Sequence, residues 1–192
     1  MKCTKIEMMN KAIKLFQKNG FEATSVNQIC EACNVTKGSF YNYYKSKTDI
    51  LLDFYNVLLS NFSLSFADLI GIESYREQLW QVITYSIDAT IKLGPDLLCN
   101  MMIADMKAGG AQFNASLERL QETAPGYHKL IYTLIQKTQE KEEIRSKSSP
   151  EQLWYAYTNG LLGIAMNWSA SGGEYDEKEA LRTLFDIIFE KN

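Results

Sequence analysis

Proline is scarce in this chain. Three prolines and eleven glycines among 192 residues, neither clustered, exclude collagen-like repeats and low-complexity Pro/Gly sequence. Apolar runs are short, and none approaches the roughly 20 residues that cross a bilayer. The opening stretch MKCTKIEMMNKAIKLF sets charges among its apolar positions, unlike a signal peptide. The chain is therefore expected to be cytoplasmic, with no membrane partner. There is one histidine, His128, so it has no second histidine to work with. A Gly-rich phosphate loop, a His-x-x-x-His pair and a nucleophile elbow are all missing. No catalytic residue, cofactor or enzymatic activity is expected. Four cysteines, Cys3, Cys30, Cys33 and Cys99, without a secretory signal are read as thiols. For the same reason the triplets NVT and NAS carry no glycosylation meaning.

What the chain does have is helical periodicity nearly throughout, with almost no strand signal. It is read as all-α, with about nine helices. Met9, Ile13, Leu15 and Phe16 give a first amphipathic helix that ends at KNGF, where Gly20 suits the position after a helix and Lys18 the last turn. TSVNQICEAC opens a second helix with Ser25 and Gln28 in the capping-box spacing, and Asn34 tolerates the left-handed turn that follows. A third helix runs from Thr36 to about Tyr43. Ser46 and Asp49 then launch a long fourth one through TDILLDFYNVLLSNFSLSFADLI. Later helices are predicted at about 74–93, 95–108, 113–121, 125–143, 150–170 and 176–190. Two helices joined by a tight turn within this opening is helix-turn-helix grammar. Charge divides the same way. Residues 1–50 hold eight lysines against four acidic residues, +4, and the rest holds twelve basic against nineteen acidic, −7. A basic head on an acidic body points to a polyanion partner for the head.

The stretch CNVTKGSFYNYYKSK concentrates three tyrosines. As a helix, it puts Val35, Phe40 and Tyr44 on one face, and Lys37, Ser39, Tyr41 and Tyr43 outward or flanking. Gly38 allows close backbone approach, and the Thr36 and Ser39 hydroxyls can add phosphate contacts near the helix start. Lys47 begins the next helix, placed for a second phosphate. An ordinary solvated helix would show the same spacing, so these residues alone leave both readings open.

The segment IKLFQKNGFEATSVNQICEACNVTKGSFYNYYKSKTDIL resembles the DNA-binding head of the TetR family of bacterial transcriptional regulators. Its LF…GF.ATSV..I entry and its V[ST]KG[ST].Y.[YH][FY].SK run carry the likeness, over about residues 6–52. The resemblance implies a three-helix head, 1–47, followed by a ligand-binding and dimerisation bundle, 48–192. It implies DNA contacts from Thr24 and Ser25, from Thr36, Lys37, Gly38 and Ser39, from Tyr41 and Tyr43, and a phosphate contact from Lys47. Tyr43 departs from the histidine common at its position. The implied function is a ligand-responsive transcriptional regulator, a repressor released from a pseudo-palindromic operator in double-stranded DNA by a small, largely hydrophobic effector.

In the body, aromatic and methionine bulk is the main signal: most of it is core, and Tyr85, Met102, Met106, Tyr127, Trp154 and Tyr157 are candidates for lining an effector cavity, as is Phe113. The family's two C-terminal helices form its dimer interface. That implies a homodimer through Leu153, Tyr157, Leu161, Ile164, Leu181, Leu184, Phe185 and Ile188, with Gly160 and Gly163 where helices approach closely. Cys30 and Cys33, three apart, point together into the small head core and are expected to pack there. The alternative is a thiol- or metal-responsive switch. A zinc site would need two more ligands and His128 is remote in sequence, so no metal is assigned.

Overall fold

Side-chain caps set where the helices begin. The computed structural model describes residues 3–60, 69–107, 121 and 125–192. Thr4 and Glu7 cap α1 (Lys5–Asn19) reciprocally, and Ser25 and Gln28 do the same for α2 (Val26–Cys33). Thr36 caps α3 (Lys37–Tyr41). At α4 (Lys47–Ser60) the Asp49 carboxylate accepts from the amides of Lys45 and Ser46 at 2.9 and 3.1 Å, and the Asp49 amide donates to Ser46 Oγ at 3.2 Å. Ser74 caps α5 (Tyr75–Leu93), which leads through Gly94 into α6 (Pro95–Lys107). After α7 (Pro125–Glu140), Ser149 and Gln152 cap α8 (Pro150–Ala170), and Asp176 caps α9 (Glu177–Ile188). Among the described residues there is no strand, only an isolated antiparallel bridge between Ile144 and Lys191.

The turns follow local rules. Gly20 sits at φ 87° and Asn34 at φ 52°, the left-handed values their positions after a helix require. Two boundaries differ from the sequence expectation. α3 stops at Tyr41 and turn residues follow, although the Tyr44 amide still donates to the Phe40 carbonyl at 3.0 Å, which keeps Tyr44 on the side of Phe40. α7 stops at Glu140, and Glu142 takes a positive φ of 54° in the turn that follows. The helix expected at 113–121 lies, but for its last residue, outside the described residues, as do Phe113 and positions 61–68 of the expected fourth helix.

The core has two parts. The first starts on the inner face of α1 (Met8, Met9, Ala12, Ile13, Phe16), takes in Ile29, Phe40 and Tyr44, and continues into α4, α6 and α8 through Ile50, Leu98, Met101 and Trp168. The head is thus bonded to the body by apolar packing as well as by chain. The second joins α5, α7, α8 and α9 around Leu79, Ile83, Ile135, Trp154, Tyr157 and Phe185. A Cβ on Gly160 would meet Leu184 Cδ2 at 2.6 Å, so that glycine lets α8 and α9 touch closely, whereas Gly163 has nothing within 4 Å. At the end of this second core Arg76 is fully buried. It donates to the Phe189 carbonyl, to Glu77 at 2.8 Å and to Asp186, with its guanidinium 4.8 Å from the Phe185 ring centroid.

Candidate nucleic-acid interface

Two buried aromatics hold α3 in place. Phe40 is fully buried, and Tyr44 is buried with its hydroxyl donating to Asp53 Oδ2 at 2.8 Å. Lys5 Nζ pairs with the same carboxylate at 2.9 Å and lies 5.1 Å from the Tyr44 ring centroid. Burial, then the bond to Asp53, pushes the Tyr44 phenol above its ordinary range. Burial opposes charge on Asp53 too, but hydrogen bonds from Lys5 and Tyr44 with the Lys5 charge hold its carboxyl below the usual value. The triad ties the start of α1, the end of the α3 turn and α4 into one unit.

With that side fixed, the opposite side is free. Thr36, Lys37 and Gly38 are exposed, Ser39 is half-buried, and Tyr41 and Tyr43 are 56% and 37% exposed. Thr36 Oγ1 accepts from the Ser39 amide at 3.3 Å and lies 3.2 Å from Ser39 Oγ, so both hydroxyls are presented in fixed positions. Ser25 is likewise exposed, its hydroxyl accepting from the Gln28 amide at 3.3 Å. Between α2 and α3 lies an open groove of about 460 Å³ lined by Asn27, Glu31, Asn34, Val35, Thr36 and Lys37, with Cys30 at its floor. Asn27 is not among the DNA contacts the sequence suggests, and Asn34 is expected there only as a turn residue; Asn27 is an exposed polar position in the first turn of α2, and Asn34 is the exposed left-handed residue that ends that helix.

Two residues expected at this surface are placed otherwise. Thr24 is fully buried, and its hydroxyl donates to the Gly20 carbonyl at 2.8 Å, because the turn after α1 folds that side chain inward. Lys47 turns its ammonium onto the same turn, reaching the Phe21 carbonyl at 2.7 Å.

Cys30 and Cys33 are buried, with Cys3 beside them in the same core. Burial, then a hydrogen bond with Cys3, pushes the Cys33 thiol up to about 12, and burial raises Cys30 as well. Neither is a thiolate near neutral pH, so both behave as small apolar residues. Among the described residues no group of three or more His, Cys, Asp or Glu side chains is placed to hold a metal.

The body residues separate. Met102 belongs to the first core, while Trp154 and Tyr157 belong to the second, with Tyr127 packed against it. Tyr85 is half-buried. Met106 is 59% exposed, at the end of α6, and does not line an interior. Four of the expected dimer residues, Leu153, Tyr157, Leu181 and Phe185, are buried inside the chain's own second core, where α8 and α9 pack on α5 and α7. Leu161, Ile164, Leu184 and Ile188 are half-buried, and the large apolar residues exposed on these two helices are Tyr155, Met166 and Ile187.

Residues 9–54 match the family model described as bacterial regulatory proteins, tetR family. The uncharacterized HTH-type transcriptional regulator YuxN of Bacillus subtilis is 34% identical over 76 residues, 35% of this chain and 25% of that protein. The Tn10 TetC protein of Escherichia coli is 30% identical over 98 residues, 49% of this chain and 50% of its own. The chain therefore spans a quarter to a half of the length of these relatives. Among solved structures, Thermus thermophilus FadR, a TetR-family transcriptional repressor in complex with lauroyl-CoA, superposes with a TM-score of 0.65 at 21% identity, covering 97% of this chain and 94% of that one. Its likeness is one of fold, extending from the head through the whole bundle. Over residues 9–54 the head of this chain is similar to the tetR family of bacterial regulatory proteins.

Proposed function

We propose that this chain is a cytoplasmic, homodimeric, DNA-binding transcriptional regulator of the tetR kind, and not an enzyme. It acts as a repressor whose head, residues 1–47, leaves a pseudo-palindromic operator when a small, largely hydrophobic effector enters the body, residues 48–192. One observation carries this reading: the sidedness of the helix-turn-helix. Phe40 and Tyr44 are buried anchors, whereas Thr36, Lys37, Gly38, Tyr41 and Tyr43 are exposed, Thr36 and Lys37 lining the groove between α2 and α3. That division leaves lysine and tyrosine side chains free to meet phosphates and base edges in a major groove, within the first 50 residues that carry the positive charge.

A second copy fits the exposed Tyr155, Met166 and Ile187 on α8 and α9, with Leu161, Ile164, Leu184 and Ile188 on the same helices. Two heads related by a two-fold axis would read half-sites about one DNA turn apart. The effector shifts operator binding only by its differential affinity for the two head spacings. The buried, raised thiols leave the Cys30/Cys33 switch without support.

The test is titration of duplex DNA, selected from a random pool, by fluorescence anisotropy with wild type and the Lys37→Ala/Tyr41→Ala double variant. The variant is expected to bind at least about tenfold more weakly, since each base contact contributes on the order of 1–3 kcal/mol. Its thermal midpoint is expected to be unchanged, because both side chains are exposed. Equal affinity, or no wild-type binding to any duplex at low salt, overturns the proposal. Lauroyl-CoA, the ligand held by the Thermus FadR structure, is the first probe for release of that DNA.

A further inference from the structure

Lys47 occupies the place where the family resemblance sets a phosphate-binding lysine, yet its ammonium is already engaged. Nζ lies 2.7 Å from the Phe21 carbonyl, 3.2 Å from that of Glu22 and 3.4 Å from that of Thr24. It also lies 4.4 Å from the Phe21 ring centroid, and the side chain is only 22% exposed. An ammonium has three protons to donate, and three backbone carbonyls use them. The nearby Glu22 carboxylate, at 3.4 Å and itself largely exposed, adds little.

We propose that Lys47 is a positioning residue: its ammonium locks the turn between α1 and α2, and through that turn sets the angle at which the helix-turn-helix is presented. The turn matters because it ends at Ser25, the cap of α2, and α2 passes directly through the Asn34 turn into α3. A shift of the turn therefore carries the whole exposed face with it. The same turn is held from the body. The Phe21 amide donates to Asp96 Oδ2 at 3.2 Å in the first turn of α6, and Gln17 Nε2 donates to the Lys92 carbonyl at 3.2 Å. Phe21 thus has its carbonyl held by α4, its amide by α6, and its ring packed edge-on to Phe16 at 5.0 Å. Lys47 and Asp96 fix one peptide segment from two sides.

The proposal rests on the DNA-binding reading of the head, and salt dependence separates positioning from phosphate contact. Removing one lysine–phosphate contact lowers the slope of log affinity against log salt by about 0.9. For Lys47→Met, affinity for the selected duplex is expected to fall several-fold at every salt concentration with the slope unchanged. Asp96→Asn, which perturbs the same turn from the body, is expected to give the same pattern. Lys47→Arg keeps the charge, but a planar guanidinium cannot donate to three carbonyls around one point, so its affinity is expected to fall as well. A drop of about 0.9 in slope for Lys47→Met, or wild-type affinity for Lys47→Arg, overturns the proposal. A second readout needs no DNA: amide hydrogen exchange in residues 21–25 is expected to accelerate in Lys47→Met, and unchanged protection there overturns it equally. Failure of the DNA-binding reading would instead appear in the wild type, as binding to no duplex at all.

Discussion

Replacing Tyr157 by phenylalanine is expected to stabilise the protein. The ring is fully buried among Trp154, Phe185 and Phe189, with centroids 6.0–6.1 Å away. Its hydroxyl has no hydrogen-bond partner among the described residues, and burial pushes the phenol above its ordinary range. A buried hydroxyl without a partner costs about 1–3 kcal/mol in lost hydration. Phenylalanine removes one oxygen and keeps the ring, so the packing change is small. The net expectation is a gain of about 1–2 kcal/mol. In a domain of this size that raises the thermal midpoint by about 2–8 °C. Circular-dichroism melts and urea titrations at one fixed protein concentration give the value, since dimerisation would make the midpoint depend on concentration. The sign decides. A hydroxyl that is hydrogen-bonded in solution, to water or to a bound molecule, would make Tyr157→Phe destabilising by about 1 kcal/mol, and that result refutes the reasoning.

Two further outcomes follow from buried charge. Burial raises Glu177, at the first turn of α9, to about 7, so the folded state keeps its proton to higher pH than the unfolded chain does. Its contribution to stability is whole below pH 4.5 and is lost as pH rises through about 7. Glu177→Gln, neutral throughout, is expected to be more stable than wild type by about 2 kcal/mol at pH 8 and no different at pH 4, by urea unfolding. That figure is less than the full shift because a helix N-terminus favours the anion; a pH-independent difference would contradict it. Arg76→Ala leaves the buried Phe189 carbonyl without the guanidinium donor and removes the bond to Asp186. The expected loss is about 3–5 kcal/mol, and a loss under about 1 kcal/mol in the same assay would show that the buried network contributes little.

The features that could be read from sequence share a short range. Ser25 with Gln28, Ser46 with Asp49, Gly20 and Asn34 all act within four residues of themselves, so spacing alone predicts them. The division of the tyrosines is also local: once a helix begins at Thr36, Phe40 and the residue four on must share a face, and Tyr41 and Tyr43 must not. What could not be read depends on partners far along the chain. Lys47 has a side chain that suits a DNA backbone, and nothing in its own neighbourhood shows that the turn after α1 folds over to meet it from 23 residues away. The body fails for a different reason. α8 carries apolar or small residues on both sides, so periodicity identifies the helix without saying which side faces α5 and α7. The larger group, Leu153, Trp154 and Tyr157, went inward, and the outward side kept Tyr155 and Met166. Met102 and Met106 show the limit within one face. They lie one turn apart on α6, yet the first is buried and the second exposed, although Asp105 beside it is buried. A periodic pattern gives direction around a helix axis and nothing about how far along that axis the packing partner extends. For that reason the DNA-facing side of this chain can be proposed from fifteen residues, while the effector-facing side depends on where every helix of the bundle stops.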